Sequence, residues 1–187
     1  MSKSSYVLLF VLSCVCGFAL THATYKPEPE SVAPPVSVER LAKAYRTMAP
    51  FTLELLETYF TTQTGRALVY VYRSDCAACN AQWRELEKMT TTMPLLALSA
   101  DDTPHDFAAG LAASNHQVPY VPYYVPPSRQ LAMRTWLRDH NCRFTGALPF
   151  VALTDGKGGC IMAWQGLTAS SAIEGVANYV ASAPTAR

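Results

Sequence analysis

The chain has 187 residues, half of them hydrophobic, with 15 basic and 14 acidic side chains and a formal net charge of +1. This length allows one domain with a sizeable core. The balanced charge, which has no basic stripe or charged run, gives no electrostatic basis for partners such as nucleic acid or a membrane surface.

Residues 1–23 have the pattern of a secretory signal peptide. Lys3 gives a short basic start, residues 6–20 are apolar apart from Ser13, and residues 21–23 resemble a small-residue cleavage site. We therefore expect export to the periplasm and no stable membrane span after cleavage. An uncleaved anchor is the main alternative, although about 15 apolar residues are fewer than the roughly 20 of a spanning helix. A lipidated cysteine is a second alternative, but the apolar run continues past Cys16.

Residues 24–66 are expected to precede the core domain. Residues 24–38 contain four prolines and few large apolar side chains, which is typical of an extended linker. Residues 39–66 are predicted to form a helical extension that packs beside the core. Helical spacing is present at residues 37–48 and again at residues 52–60.

Residues 67–187 have the pattern of one α/β domain. In chain order we predict a strand at 67–72, a helix from the cysteine pair to about residue 90, a strand at 95–99, an irregular insert at 100–127, a helix at 129–140, strands at 150–154 and 160–165, and a last helix begun by a capping box of Ser171 and Glu174. A strand, crossover helix and strand imply a parallel pair, and the glycine-rich turn at 155–159 adds an antiparallel pair. The expected fold is a mixed sheet flanked by helices.

The insert is rich in proline, histidine and tyrosine. Such a segment can contact substrate peptides through its aromatic rings and extended proline stretches. The alternative is a loop that only packs over an apolar face. Its histidines are expected to be surface or capping residues.

Cys76-Ala77-Ala78-Cys79 lies where the first core strand gives way to a helix. A helix N-terminus has unpaired N–H groups and a partial positive charge, so a cysteine there loses its proton more easily than a free thiol. Cys76 is therefore the candidate nucleophile. Cys79 follows one helical turn later on the same side, so it is the candidate resolving thiol of a redox-active disulfide.

Two metal-based functions compete with this interpretation. Cys76 and Cys79 could join His140 and Cys142 as zinc ligands, although structural zinc sites usually place CxxC on a tight knuckle. Covalent haem attachment needs a histidine after the second cysteine, where this chain has Asn80. We expect no metal and no cofactor.

Cys142 and Cys160 remain after signal cleavage. A structural disulfide is the default for two such cysteines in an oxidising compartment. Against pairing, Cys142 shortly precedes the Pro149 loop and is expected at the active-site end of the sheet, while Cys160 begins the next strand at the opposite end. Five strand residues span roughly 17 Å. Separate buried thiols, or Cys142 as an auxiliary redox thiol, stay open as alternatives.

The element order, the CxxC between strand and helix, and Leu148-Pro149 before the third core strand resemble the thioredoxin superfamily. The resemblance implies a cis peptide bond at Pro149, with Leu148 and Pro149 binding the substrate beside the active-site disulfide. The export signal, the proline-rich start and Val125-Pro126-Pro127 resemble secreted disulfide isomerases of bacterial conjugation systems.

Three features weaken an analogy with cytosolic thioredoxins, which act as reductases. Tyr70 stands where those proteins place a buried aspartate that assists proton transfer from the resolving thiol. Ala77-Ala78 replaces the usual dipeptides between the cysteines. Asp75 directly precedes Cys76, and a neighbouring negative charge disfavours a thiolate, so we expect a less acidic nucleophile than in strong oxidants.

The sequence thus predicts an exported thiol-disulfide oxidoreductase of the oxidase or isomerase type. Its expected partners are cysteine-containing secreted proteins and a protein that recycles the cysteine pair. The alternative is a redox-inactive thioredoxin-fold module whose cysteines form a static disulfide and whose proline- and tyrosine-rich segments bind a secretion or conjugation assembly.

Overall fold

The structure, a computed structural model, describes residues 49–63, 65–89, 93–113 and 122–182. The predicted signal peptide, linker and first helix lie outside these residues. In chain order the elements are β1 Ala49–Pro50, α1 Leu53–Thr62, β2 Ala67–Tyr72, α2 Ala77–Glu87, β3 Leu95–Ser99, α3 Pro104–Ala113, β4 Tyr123–Tyr124, α4 Pro127–Asp139, β5 Phe150–Thr154, β6 Cys160–Gln165 and α5 Ser170–Ser182. None of the helices in these ranges is long and apolar enough to cross a bilayer.

The described strands form one mixed sheet in the order β1-β4-β3-β2-β5-β6. β2 is parallel to β3 and antiparallel to β5, and β6 is antiparallel to β5. All residues of β2, β3 and β5 are buried, because apolar clusters cover both faces of the sheet. The predicted mixed α/β sheet is confirmed, and the four predicted strands have the predicted bounds.

Residues 49–62 are part of the same core as the cysteine domain. β1 pairs with β4 in the sheet, and Leu56 and Phe60 of α1 are fully buried. Thr52 caps α1 by accepting a 3.2 Å hydrogen bond from the N–H of Leu55. Helix α1 was predicted to belong to an extension beside the core, whereas its apolar face packs directly into the core.

The insert at 100–127 is more regular than predicted, because it contains α3 and β4. Thr103 and Asp106 provide the start signal of α3: the Thr103 hydroxyl accepts from the Asp106 N–H at 3.1 Å and donates to the Asp106 carboxylate at 2.7 Å. Pro104 is the first helical residue, where its missing N–H costs nothing. The prolines and aromatic residues farther along the insert concealed this signal.

Two helix starts also differ from the prediction. α4 begins at Pro127, two residues early, because proline suits the first helical position. α5 begins at Ser170, so Ser171 lies inside the helix instead of capping it. The N–H and hydroxyl of Ser170 donate instead to the Glu85 carboxylate of α2.

Candidate active site

Cys76 and Cys79 meet at the N-terminus of α2. Cys76 is the N-cap residue, and its sulfur accepts a 3.1 Å hydrogen bond from the N–H of Cys79. A disulfide joins the two cysteines, whose Cα atoms are 5.1 Å apart. Cys76 is partly exposed, whereas Cys79 is fully buried. A second molecule can therefore reach the Cys76 sulfur but not the Cys79 sulfur.

The start of α2 favours a thiolate on Cys76. The first turn contains no acidic residue, so no carboxylate inside the helix opposes the partial positive charge of its N-terminus. The Cys79 N–H, which bonds the Cys76 sulfur, is one of the amides that the helix leaves without a backbone acceptor. Both effects lower the pKa of an N-terminal thiol.

Arg73 changes the expected effect of Asp75. Its guanidinium bonds the Asp75 carboxylate at 3.0 and 3.1 Å and the Asp102 carboxylate at 2.9 and 3.1 Å. The hydrogen bond from Arg73 lowers the pKa of Asp75, and the two carboxylates raise that of Arg73. The Asp75 charge next to Cys76 is therefore paired with Arg73. The sequence prediction considered Asp75 alone, and the contact of Arg73 with Asp102 joins residues far apart in the chain.

Tyr70 contacts the second cysteine directly. Its hydroxyl donates a 2.7 Å hydrogen bond to the Cys79 carbonyl oxygen inside the core. Its ring stacks on Tyr72 and meets Trp83 edge to face. Burial raises the pKa of Tyr70 well above its usual range. Tyr70 is thus a neutral hydrogen-bond donor to the backbone of Cys79.

Pro149 lies at the same edge of the sheet as the cysteine loop. The Leu148-Pro149 bond is cis, as predicted. Phe150 pairs with Val71 near the end of β2, so β5 starts where β2 leads into that loop. The Pro149 carbonyl accepts a 2.8 Å hydrogen bond from the N–H of Gly166. Leu148 is half-buried and packs against the apolar cluster that includes Cys79.

Gln82 ties the loop after β6 to the cysteine helix. Its side-chain amide donates to the Thr168 carbonyl at 2.9 Å and accepts from the Thr168 N–H at 2.6 Å. Gln82 is fully buried, so this two-way pairing satisfies an amide that would otherwise be costly to bury. A polar residue on an otherwise apolar helix face was the only sequence signal for this role.

Cys142 and Cys160 form a second disulfide, with Cα atoms 5.2 Å apart. The predicted placement of Cys142 at the Pro149 end of the sheet is wrong, because residues 143–149 run back along the sheet after α4 ends. The Cys160 N–H donates to the His140 carbonyl at 3.2 Å, and Cys160 pairs with Thr154 at the end of β5. The second disulfide therefore lies at the opposite end of the sheet from Cys76.

This arrangement separates the four residues considered as zinc ligands. Cys76 and Cys79 lie at one end of the sheet, and His140 and Cys142 lie at the other. Within the described ranges no group of three or more histidine, cysteine or acidic side chains is placed to hold a metal ion.

No protein-family model matches this chain, and no curated protein matches it in sequence. Solved structures are similar to it in fold. The exposed lipoprotein thioredoxin of Streptococcus pneumoniae is 17% identical with a TM-score of 0.50, and the match covers 66% of this chain and 89% of that one. A thioredoxin-related protein from Neisseria meningitidis serogroup B is 14% identical with a TM-score of 0.51, over 72% of this chain and 94% of that one.

Proposed function

We propose, on the premise that this chain has the thioredoxin fold, that it is an exported thiol-disulfide oxidoreductase of the oxidase or isomerase type. The observation that carries the proposal is the asymmetry of the cysteine pair. Cys76 is reachable at the N-terminus of α2, and Cys79 is buried behind it. This is the arrangement that dithiol exchange requires, since one thiol must meet the substrate and the other must only meet the first.

The exchange proceeds through a mixed disulfide. The Cys76 thiolate attacks one sulfur of a substrate disulfide, that bond breaks, and the second substrate sulfur leaves as a thiolate. In reduction, Cys79 then attacks the Cys76 sulfur and releases the reduced substrate. In oxidation the same steps run in reverse. In isomerisation a thiol of the substrate itself displaces Cys76.

Tyr70 favours oxidase or isomerase work over reductase work. Reduction is completed by Cys79, which must lose its proton inside the core before it attacks. The Tyr70 hydroxyl donates to the Cys79 carbonyl and stays protonated at neutral pH, so it does not accept that proton. A mixed disulfide that Cys79 resolves slowly leaves time for a substrate thiol to displace Cys76.

The proposed substrates are secreted proteins that contain cysteines, bound in part by Leu148 and Pro149. A second protein recycles the Cys76/Cys79 pair. The proposal of export is supported by the signal-peptide pattern of residues 1–23. The solved structure from Streptococcus pneumoniae, which is similar in fold, is named as an exposed lipoprotein. The finer resemblance to secreted disulfide isomerases of bacterial conjugation systems stays a prediction.

Replacing Cys79 with Ser tests the proposal. In periplasmic extracts the Cys79→Ser protein should accumulate as mixed disulfides that a reductant releases, because Cys76 still attacks but nothing resolves the product. The matched control is the protein with both cysteines changed to Ser, which should trap nothing. If the single variant also traps nothing, the pair is a static disulfide and the chain is a redox-inactive interaction module.

The reduction potential of the Cys76/Cys79 pair against glutathione tests the direction. We expect a value nearer to about −120 mV, typical of periplasmic oxidants, than to about −270 mV, typical of thioredoxin. A value at the reducing end would contradict the oxidase or isomerase assignment and leave the dithiol chemistry intact.

A further inference from the structure

Ser74 is the point at which the cysteine loop is attached to the rest of the sheet. It lies in the turn between β2 and α2, two residues before Cys76. Its N–H donates to one oxygen of the Asp101 carboxylate at 2.9 Å, and its hydroxyl donates to the other at 2.8 Å. Tyr72 pairs with Ser99 across the parallel strands β2 and β3, so the loops that follow the two strands run side by side.

The hydrogen bonds from Ser74 hold the cysteine loop in place and also stabilise the buried Asp101 carboxylate. Asp101 is only 1% exposed. Its carboxylate accepts three hydrogen bonds, from the N–H of Ser74, the hydroxyl of Ser74 and the hydroxyl of Ser99. A buried carboxylate is costly unless hydrogen bonds replace its water. Most of that compensation is lost if Ser74 moves away.

Helix α3 also packs against Ser74, at Gly110. A Cβ atom at Gly110 would lie 2.2 Å from both the Cβ and the hydroxyl oxygen of Ser74. This is far shorter than van der Waals contact, so one of the two residues would have to move. Glycine is therefore required at this point of the helix, because it alone lets α3 approach the loop so closely. Asn80 adds a third contact, since its side-chain amide donates to the Ser74 carbonyl at 3.4 Å.

We propose that Asp101 is a positioning residue for dithiol exchange: by holding Ser74 it keeps the Cys76 sulfur on the N–H of Cys79 at the start of α2. The inference rests on the proposed function, because Cys76 is the nucleophile of that function and Asp101 is the residue that positions it. A displaced Cys76 loses both that hydrogen bond and the favourable end of the helix, so its thiolate becomes less stable.

The test compares Asp101→Ala with wild type, both in the Cys79→Ser background. The readouts are the pKa of the Cys76 thiol, from the ultraviolet absorbance of its thiolate, and the rate of its reaction with oxidised glutathione. Loss of a negative charge alone would lower this pKa, whereas loss of position raises it. We expect a raised pKa and a reaction slower by about tenfold at neutral pH. A lowered or unchanged pKa would overturn the inference.

Two further variants separate positioning from general stability. Asp101→Asn keeps an oxygen that can accept from the Ser74 N–H, so it should stay closer to wild type than Asp101→Ala in both readouts. Thr154→Val removes a buried hydrogen bond, from the Thr154 hydroxyl to the Ala67 carbonyl, at the far end of the sheet. It should lower stability and leave Cys76 unchanged. Equal effects of Thr154→Val and Asp101→Ala on Cys76 would contradict a positioning role.

Gly110→Ala perturbs the same loop without touching Asp101, and it serves if Asp101→Ala does not fold. The added methyl group must push Ser74 aside, so the Cys76 pKa should rise and its reaction should slow. The matched control is Gly175→Ala on α5, where nothing lies within 4 Å of the added carbon. An unaltered Cys76 in Gly110→Ala would overturn the inference. Absence of mixed-disulfide trapping by the Cys79→Ser protein would instead overturn the proposed function, while the pKa comparison would still decide the role of Asp101.

Discussion

The hydroxyl of Tyr70 donates a 2.7 Å hydrogen bond to the carbonyl oxygen of Cys79, and both residues are fully buried. The bond attaches the first turn of α2 to the central strand β2. It gives the second cysteine a neutral polar neighbour, because burial raises the pKa of Tyr70 and keeps its hydroxyl protonated. The hydrogen bond therefore anchors the start of the helix. The protonated Tyr70 hydroxyl does not accept a proton from the Cys79 thiol.

Tyr70→Phe should lower the stability of the protein without changing the pH dependence of the reaction of Cys79. Loss of one buried hydrogen bond should lower the free energy of unfolding by about 1 kcal/mol, because the ring packing is preserved. The pH profile for release of substrate by Cys79 should keep its shape, since the hydroxyl is protonated throughout the neutral range. Urea denaturation and single-turnover kinetics measure the two effects. A shifted profile would show that Tyr70 takes part in proton transfer.

Tyr72→Phe should have the opposite effect on stability. The Tyr72 hydroxyl is buried and has no hydrogen-bond partner among the described residues. An unsatisfied buried hydroxyl costs the desolvation energy of the group, so its removal should raise the free energy of unfolding by up to about 1 kcal/mol. Both rings stay stacked, which makes Tyr70→Phe the matched comparison in the same denaturation experiment. A loss of stability would contradict the prediction.

Arg73→Gln should raise the pKa of the Cys76 thiol. Without the guanidinium, the carboxylates of Asp75 and Asp102 act on the thiolate uncompensated. Both carboxylates are exposed, so the rise should be roughly half a unit and should shrink at high salt. Asp75→Asn removes a negative charge and should shift the pKa the other way. Thiolate titrations at two ionic strengths measure this, and identical shifts in the two variants would contradict the charge argument.

Four of the described strands, β2, β3, β5 and β6, were predictable because their signals are local, whereas the two-residue strands β1 and β4 were not predicted. β2 is an uninterrupted apolar run that the cysteine loop ends, and the hairpin between β5 and β6 is marked by glycines that adopt positive φ at 156 and 158. The cis bond at Pro149 followed from the family resemblance and the position of the proline before a strand. In each case a few adjacent residues carried the information.

The site was less predictable where contacts join distant parts of the chain. Arg73 meets Asp102, and Ser74 meets Asp101, only because β2 and β3 are parallel neighbours in register. The end of the sheet at which Cys142 lies depends on the direction of residues 143–149, which no local pattern indicates. Pairing across the fold is set by topology, so it became visible only with the structure.

Replacing Cys142 and Cys160 together with Ala should destabilise the protein and leave exchange at Cys76 intact. The bridge closes a loop with a sequence separation of 18, for which the chain-entropy model gives about 3 kcal/mol of stabilisation. The bridge lies at the opposite end of the sheet from Cys76, so the reaction with oxidised glutathione should be unchanged. Urea denaturation and exchange kinetics on the double variant measure both. Lost exchange in a folded variant would indicate that the second pair passes electrons.

Glu85→Gln should reduce the dependence of stability on acidic pH. The Glu85 carboxylate accepts from Lys88 at 2.6 Å and from the N–H and hydroxyl of Ser170 at 2.9 and 3.0 Å. The bond from Lys88, followed by those from Ser170, lowers the pKa of Glu85 from 4.5 to about 2. A folded-state pKa below the unfolded value stabilises the protein above pH 4.5, and this contribution is lost as the pH falls towards 2.

The measurement is urea denaturation of wild type and Glu85→Gln across that acidic window. The wild-type free energy of unfolding should fall more steeply with acid, because Gln cannot be protonated there. Asp75→Asn is the comparison variant: the pKa of Asp75 is also lowered, so this variant should flatten the curve in the same direction, but by less, because the Asp75 carboxylate is exposed and its pair with Arg73 is screened by solvent. Parallel curves for wild type and Glu85→Gln would contradict the prediction. They would mean that Ser170 holds the start of α5 equally well without a charged acceptor.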